Sequence, residues 1–280
     1  MLKIKQVVVI GSVILLMAAL LSMDIKGLVK PQQRGVSNTN SSESAALPVV
    51  TVDAVSATAK QTLNADLAKQ ITNLENTLKS EPKDKLAIQK QLAQKWDDVN
   101  LSGPAAFYYE FIANAESNYS NWIKTGDRFT DAYQNTQDSL TQPALVQKAI
   151  GAYQKAAELN PGSLEAKTGL GIAYVSGTPN PVQGIQLLLE VVKQGPDNIK
   201  ANLNLGLFSM KSGQYEKAVN RFKTVIAQKP DAEVWFYLAS TYENLGNKEE
   251  AIAAYLQSKD LAADPKLGQY VDQRIQELRK

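Results

Sequence analysis

Residues 199–230 read IKANLNLGLFSMKSGQYEKAVNRFKTVIAQKP, and the fold is legible in them. Apolar and small residues recur at spacings of three and four from Ala201 to Phe208, and again from Ala218 to Ile226, which is the signature of two amphipathic helices. Ser212-Gly213-Gln214 separates them and Pro230 ends the second, so the stretch predicts one helical hairpin.

The same punctuation returns along the chain. Prolines stand at Pro161, Pro196, Pro230 and Pro265, separated by 35, 34 and 35 residues, and each follows a pair of apolar helical stretches. A fixed period near 34 residues is the mark of a stacked repeat, in which no hairpin buries its apolar face alone.

The spacing inside each unit resembles the tetratricopeptide repeat family, whose pattern is W-x-x-L-G-x-x-Y in the first helix, then Ala, an aromatic and a small residue in the second, then Pro. The unit from about 232 has Trp235, Leu238, Ala239 and Tyr242, then Ala251, Tyr255 and Ser258. The unit from 199 has Leu205 and Gly206, then Ala218, Phe222, Val225 and Pro230, with Asn202 at the Trp position and Ser209 at the Tyr position. The unit before it has Leu170, Gly171 and Tyr174, then Gly184, Leu188, Val191 and Pro196, with Lys167 at the Trp position. Upstream, Trp122, Gly126 and Phe129 precede Ala149, Tyr153, Ala156 and Pro161 with about eleven extra residues near 135–145, expected as a loop or extra helical turns at the hairpin tip. Leu92, Ala93 and Trp96, followed by Ala105 and Tyr109, form a degenerate first unit, with Pro104 suited to a helix first turn.

The resemblance implies an all-α solenoid, a superhelix of about five hairpins over 82–265 whose first two are degenerate. Gly206, Ala218 and Ala251 are expected where helices approach, and Trp235, Tyr242, Phe222 and Tyr255 fill the core beside them. Residues 266–280 are expected to form a capping helix with Leu267, Val271, Ile275 and Leu278 turned inward.

Val7–Met23, VVVIGSVILLMAALLSM, is an uncharged run behind Lys3 and Lys5, and at about 1.5 Å per residue it nearly spans a hydrocarbon core of about 30 Å. Leu20, Leu21, Ser22 and Met23 match an A-x-A cleavage site poorly, which favours an uncleaved signal anchor over residues 1–30 that keeps Met1. The expected placement is the cell inner membrane, single-pass, with the repeats facing the periplasm; secretion after cleavage is the alternative. Residues 31–52, rich in Ser, Asn and Gln, read as a flexible linker. Within 53–81, Leu63, Leu67, Ile71, Leu74 and Leu78 predict one amphipathic helix that either packs on the following helices or self-associates.

Composition narrows the function. The 280 residues include no His and no Cys, so zinc sites, Ser/His or Cys/His nucleophile pairs and disulfides are excluded. Lys plus Arg number 30 against 28 Asp plus Glu, a balance that gives nucleic acid no positive field to bind. Asp97-Asp98 and Glu249-Glu250 fall at helix ends and polar faces, which reads as solvated charge rather than paired catalytic acids. Gly169-x-Gly171 continues a helix and opens no phosphate loop. No enzyme activity and no cofactor is expected.

In the family, ligands lie along a concave surface lined by the first helix of each hairpin. That places Lys124, Asp127, Thr168, Ile172, Leu203, Asn204, Leu207, Phe236, Tyr237 and Ser240 in a groove for a protein or peptide. The Lys/Asn, Asn, Lys/Arg clamp for carboxyl-terminal tails is not present: Asn204 fits its middle element, but Thr168, Ile172, Glu233 and Tyr237 stand where its other members belong. The layout is similar to bacterial membrane-anchored repeat proteins, implying a tethered interaction scaffold; a structural subunit of a larger envelope complex is the alternative.

Overall fold

The structure, a computed structural model, describes residues 49–179 and 181–280; the expected membrane helix and most of the linker lie outside the described residues. These contain thirteen helices and no strand. Two short helices, α1 (Val52–Lys60) and α2 (Ala65–Lys79), precede five hairpins. The hairpins are α3 (Lys85–Asp98) with α4 (Ser102–Ala115), α5 (Tyr119–Asn135) with α6 (Gln142–Leu159), α7 (Leu164–Gly177) with α8 (Val182–Gln194), α9 (Ile199–Lys211) with α10 (Tyr215–Gln228), and α11 (Ala232–Asn244) with α12 (Lys248–Leu261). A final helix, α13 (Pro265–Leu278), packs on α12. No helix among the described residues is long and apolar enough to cross a membrane.

The periodic prolines have a local purpose. Pro161, Pro196 and Pro230 end one hairpin, and within two residues a Ser, Asn or Asp caps the next. Ser163, Asn198 and Asp231 accept from the backbone N–H of Ala166, Ala201 and Val234, satisfying donors the helix leaves open. Within the last two hairpins the turn is a paired 6→1 and 5→2 closure: Gln214 N–H donates to Ser209 O and Gly213 N–H to Met210 O, then Asn247 to Tyr242 and Gly246 to Glu243. Gly213 (φ 73°) and Gly246 (φ 79°) take the left-handed conformation that this closure requires.

Burial follows the repeat pattern. Trp96, Phe129, Tyr133, Phe222 and Tyr255 are almost fully buried, and Phe129 and Phe222 each contribute about 1.5–3 kcal/mol through removal from water. Apolar clusters run from α2 to α13, shared between neighbouring helices. Val271 and Ile275 of α13 are buried, and Leu267 and Leu278 pack beside them. The extra residues near 135–145 lengthen α5 and α6 to 17 and 18 residues and add a turn between them.

The single helix expected between 54 and 79 is instead two. Asn64 adopts an extended backbone (ψ 158°) and caps α2 by accepting from Leu67 N–H, which stops α1 at Lys60. Its stripe packs on the following hairpin: Ile71 is fully buried with Leu92 and Trp96, and Leu67, Leu74 and Leu78 lie against the same cluster. Buried Glu75 ties the two helices together by accepting from Ser56 Oγ and Lys60 Nζ.

Helices α7 and α8 meet nearly backbone to backbone at Gly171 and Gly184. A Cβ on Gly184 would fall 2.4 Å from Gly171 O and 2.7 Å from Val175 N, both backbone atoms that cannot swing away. Gly184→Ala should therefore lose about 1–3 kcal/mol by overpacking. Gly151→Ala, in the middle of α6 with nothing within 4 Å, should gain about 0.5–1 kcal/mol of helix propensity. Urea unfolding of both variants followed by circular dichroism measures the two signs.

Candidate functional site

A groove of about 670 Å³ runs across the first helices of three successive hairpins. From α5 it takes Asp127, Arg128, Thr130, Asp131 and Gln134; from α7, Glu165, Thr168, Gly169 and Ile172; from α9 and the two residues before it, Asp197, Asn198, Ile199, Lys200 and Asn204. Tyr153, from α6, completes it.

Tyr153 fills the space left by two glycines. A Cβ on Gly126 would sit 2.6 Å from its ring and a Cβ on Gly169 would sit 2.3 Å away, so α5 and α7 both close on the same aromatic ring. Its hydroxyl donates to Asp127 Oδ1 at 2.8 Å and lies 3.2 Å from Thr130 Oγ1. Burial, reinforced by the Asp127 charge, pushes the phenol far above its usual range, so it stays a proton donor and holds Asp127 in place.

A second carboxylate is held in the same way across the groove. Tyr119 Oη donates to Glu165 Oε2 at 2.8 Å and lies 2.6 Å from Ser163 Oγ, the cap of α7. Asn204 Nδ2 donates to Lys200 O at 2.9 Å, a bond within its own helix. Thr168 is buried and donates to Leu164 O at 2.6 Å, and Ile172 is buried beside it.

Of the ten residues expected in the groove, Asp127, Thr168, Ile172 and Asn204 line it. Lys124 does not; its Nζ lies 3.1 Å from Asp97 Oδ2 and 5.1 Å from the centre of the Tyr109 ring. Leu203, Leu207, Phe236 and Tyr237 are half-buried against the cluster of the last two hairpins. Tyr237 stacks on Phe222 with centroids 5.9 Å apart and its hydroxyl donates to Glu233. Ser240 is half-buried, and its carbonyl accepts from Asn244 Nδ2.

The sequence reading missed Asp131 and Glu165, although they stand one helical turn from Asp127 and Thr168. It also gave Tyr153 and Gly169 no place in the groove. Tyr153 belongs to a second helix, and only the two glycines facing it reveal that its hydroxyl reaches the groove.

Two further expectations are corrected. Asp97 is not a solvated charge: its side chain is 11% exposed. It accepts from Tyr109 Oη at 2.8 Å and Arg128 Nη2 at 3.1 Å, while Arg128 Nε stands 2.7 Å from Oδ1 as an ion pair. Arg128 in turn donates to Asp131 Oδ2 at 2.9 Å. Trp235 and Tyr242 are not core side chains but half-buried ones. They line a shallow apolar pocket of about 430 Å³ with Ile226 and Ala253. Asn202, at the Trp position of its own unit, is buried instead, donating to Pro196 O and Asn198 O and accepting from Arg221 Nη1.

Residues 203–266 match the family model described as tetratricopeptide repeat. Over that stretch, which spans the last two hairpins, the chain carries the tetratricopeptide repeat pattern. Tetratricopeptide repeats are helical arrays typical of protein–protein interaction scaffolds. Two solved structures titled as MamA are similar to it at 21% identity and a TM-score of 0.47; the matches cover 62% and 60% of this chain and 90% and 93% of theirs. A MamA double mutant is similar at 16% identity and the same TM-score, over 64% of this chain and 94% of its own. That likeness is distant and concerns fold alone. A comparison with curated proteins gave no match.

The Asp97 cluster joins the first hairpin of the array to the second, and its pH response has a definite sign. Burial alone would raise the Asp97 carboxyl, but hydrogen bonds from Tyr109, Lys124 and Arg128 outweigh it and hold the group below its usual range. A depressed carboxylate stabilises the fold above its unfolded pKa of about 3.9, and that contribution fades as pH falls through the folded value. Asp97→Asn should cost about 1–3 kcal/mol at pH 7, where it leaves Arg128 short of a partner. The difference from wild type should shrink below about pH 4, as followed by urea unfolding across pH.

Proposed function

We propose that the protein is a membrane-tethered, non-enzymatic scaffold whose groove over α5, α7 and α9 receives an extended segment of a partner protein. The observation that carries this reading is the groove itself: three successive first helices contribute to one recess of about 670 Å³, with two carboxylates already oriented by tyrosine hydroxyls. Preoriented groups lose less entropy on binding than free ones. The tether is read from the uncharged run Val7–Met23 behind Lys3 and Lys5, and the polar stretch after it gives the repeats reach from the bilayer. That arrangement suits a single-pass protein of the inner membrane whose repeats face the periplasm.

The other reading, a structural subunit of a larger envelope complex, draws on the apolar pocket around Trp235 and Tyr242, away from the groove and open to a fixed partner.

Photo-crosslinking side chains placed singly at Gln134, exposed in the groove, and at Ala253, exposed beside Trp235, separate the two. In intact membranes the Gln134 position should give discrete adducts that survive carbonate washing with the full chain. Asn204→Ala should weaken them by about 0.5–1.5 kcal/mol of affinity, the scale of one hydrogen bond. Adducts from Ala253 alone would favour the subunit.

A further inference from the structure

The groove and the apolar surface next to it differ in chemistry, and together they specify a ligand. Asp127, Asp131, Glu165 and Asp197 face Arg128 and Lys200 in the lining. Arg128 is already committed to Asp97 and Asp131. Asp127, Glu165 and Asp197 form no ion pair among the described residues. Three carboxylates against one lysine leave the recess with an unmet demand for positive charge. Asp127 and Glu165, on adjacent helices, are each fixed through one oxygen by a tyrosine hydroxyl, leaving the other oxygen to accept.

One to two hairpins further on, the surface is aromatic. Phe236 packs edge-on against Tyr255, with centroids 5.5 Å apart, and lies 5.7 Å from the ring of Tyr270 on α13. Tyr270 is 53% exposed, the most exposed aromatic side chain among the described residues. Tyr237, Leu203 and Leu207 border the same cluster, and Leu203 and Leu207 flank the groove residue Asn204 on α9. An exposed tyrosine resting on a half-buried phenylalanine, itself packed edge-on against buried Tyr255, is a platform for another apolar side chain.

We infer that the ligand is an extended peptide segment with a Lys or Arg that enters between Asp127 and Glu165, and an aromatic or large aliphatic side chain that rests on Phe236 and Tyr270. Neighbouring helix axes lie about 8–10 Å apart, so the two poles are separated by roughly 20–30 Å. At about 3.3 Å per residue, the two anchors fall roughly six to nine residues apart in the ligand. This rests on the groove reading, and it adds the ligand's charge, its apolar anchor and their spacing.

The test uses the full chain in detergent and fluorescein-labelled synthetic peptides of polar uncharged background. Each carries one Lys and one Phe eight residues apart, in both orders, and a photo-reactive group reports attachment near Gln134. One orientation should bind at least about ten times more tightly than the versions with Lys→Glu or Phe→Ser, since a loss of 1.4 kcal/mol is a factor of ten. The preference for Lys should weaken as salt rises. Asp127→Asn combined with Glu165→Gln should erase the Lys-over-Glu preference and keep the Phe-over-Ser preference; Tyr270→Ser should do the reverse. Shortening the spacing to two residues should lose the advantage of carrying both. If Lys and Glu peptides bind alike and still attach near Gln134, the groove stands and the two-pole ligand is overturned. If no peptide attaches there, both readings fall.

Discussion

The ring of Tyr153 is clamped between two glycines, Gly126 on α5 and Gly169 on α7, at distances where any Cβ would collide with it. That contact closes the second hairpin and docks the third against it. The same side chain then emerges from the core with a hydroxyl that holds Asp127 at 2.8 Å. A single residue is thus shared between packing, which needs the ring, and the groove, which needs the oxygen. Elsewhere the close approach recurs without the polar extension: Gly206 opposes the Phe222 ring, and Gly171 and Gly184 bring α7 and α8 together almost backbone to backbone.

Because each hairpin is stabilised chiefly by its neighbours, interactions at the joints decide how far order extends along the array. The joint between the first and second hairpins is partly electrostatic. Asp97 gathers Tyr109 from its own hairpin and Lys124 and Arg128 from the next. Arg128 and Asp131 belong both to this joint and to the groove lining, so the charge that locks the hairpins is also taken from the groove. What remains in the recess is an excess of carboxylate. The packing that builds the array therefore also sets the electrostatic character of the surface it exposes.

Much of the fold could be read from the sequence because the hairpins are local structures. Their helices announce themselves by spacing, and their ends by Pro161, Pro196 and Pro230 followed within two residues by a capping side chain. The break between α1 and α2 was hidden because apolar spacing continues through Leu63 while Asn64 stops the helix with its side chain. The groove was legible only in part. Asp127, Thr168, Ile172 and Asn204 follow from helical register. The contribution of Tyr153 depends on which helix its hydroxyl crosses, and the burial of Asp97 depends on cations 27 and 31 residues away in sequence, Lys124 and Arg128. Trp235 was misplaced because a family position does not fix how much of a side chain the next hairpin covers.

The link between core and groove can be tested by removing one atom. Tyr153→Phe keeps the ring between Gly126 and Gly169 and deletes the hydroxyl that orients Asp127. The variant should fold with an unchanged helical spectrum and lose at most about 1.5 kcal/mol of stability, the worth of one hydrogen bond. Its yield of adducts from a crosslinker at Gln134 in intact membranes should nevertheless fall several-fold. An unchanged yield from the folded variant would contradict the account, since the groove would then bind without the carboxylate that Tyr153 holds in place.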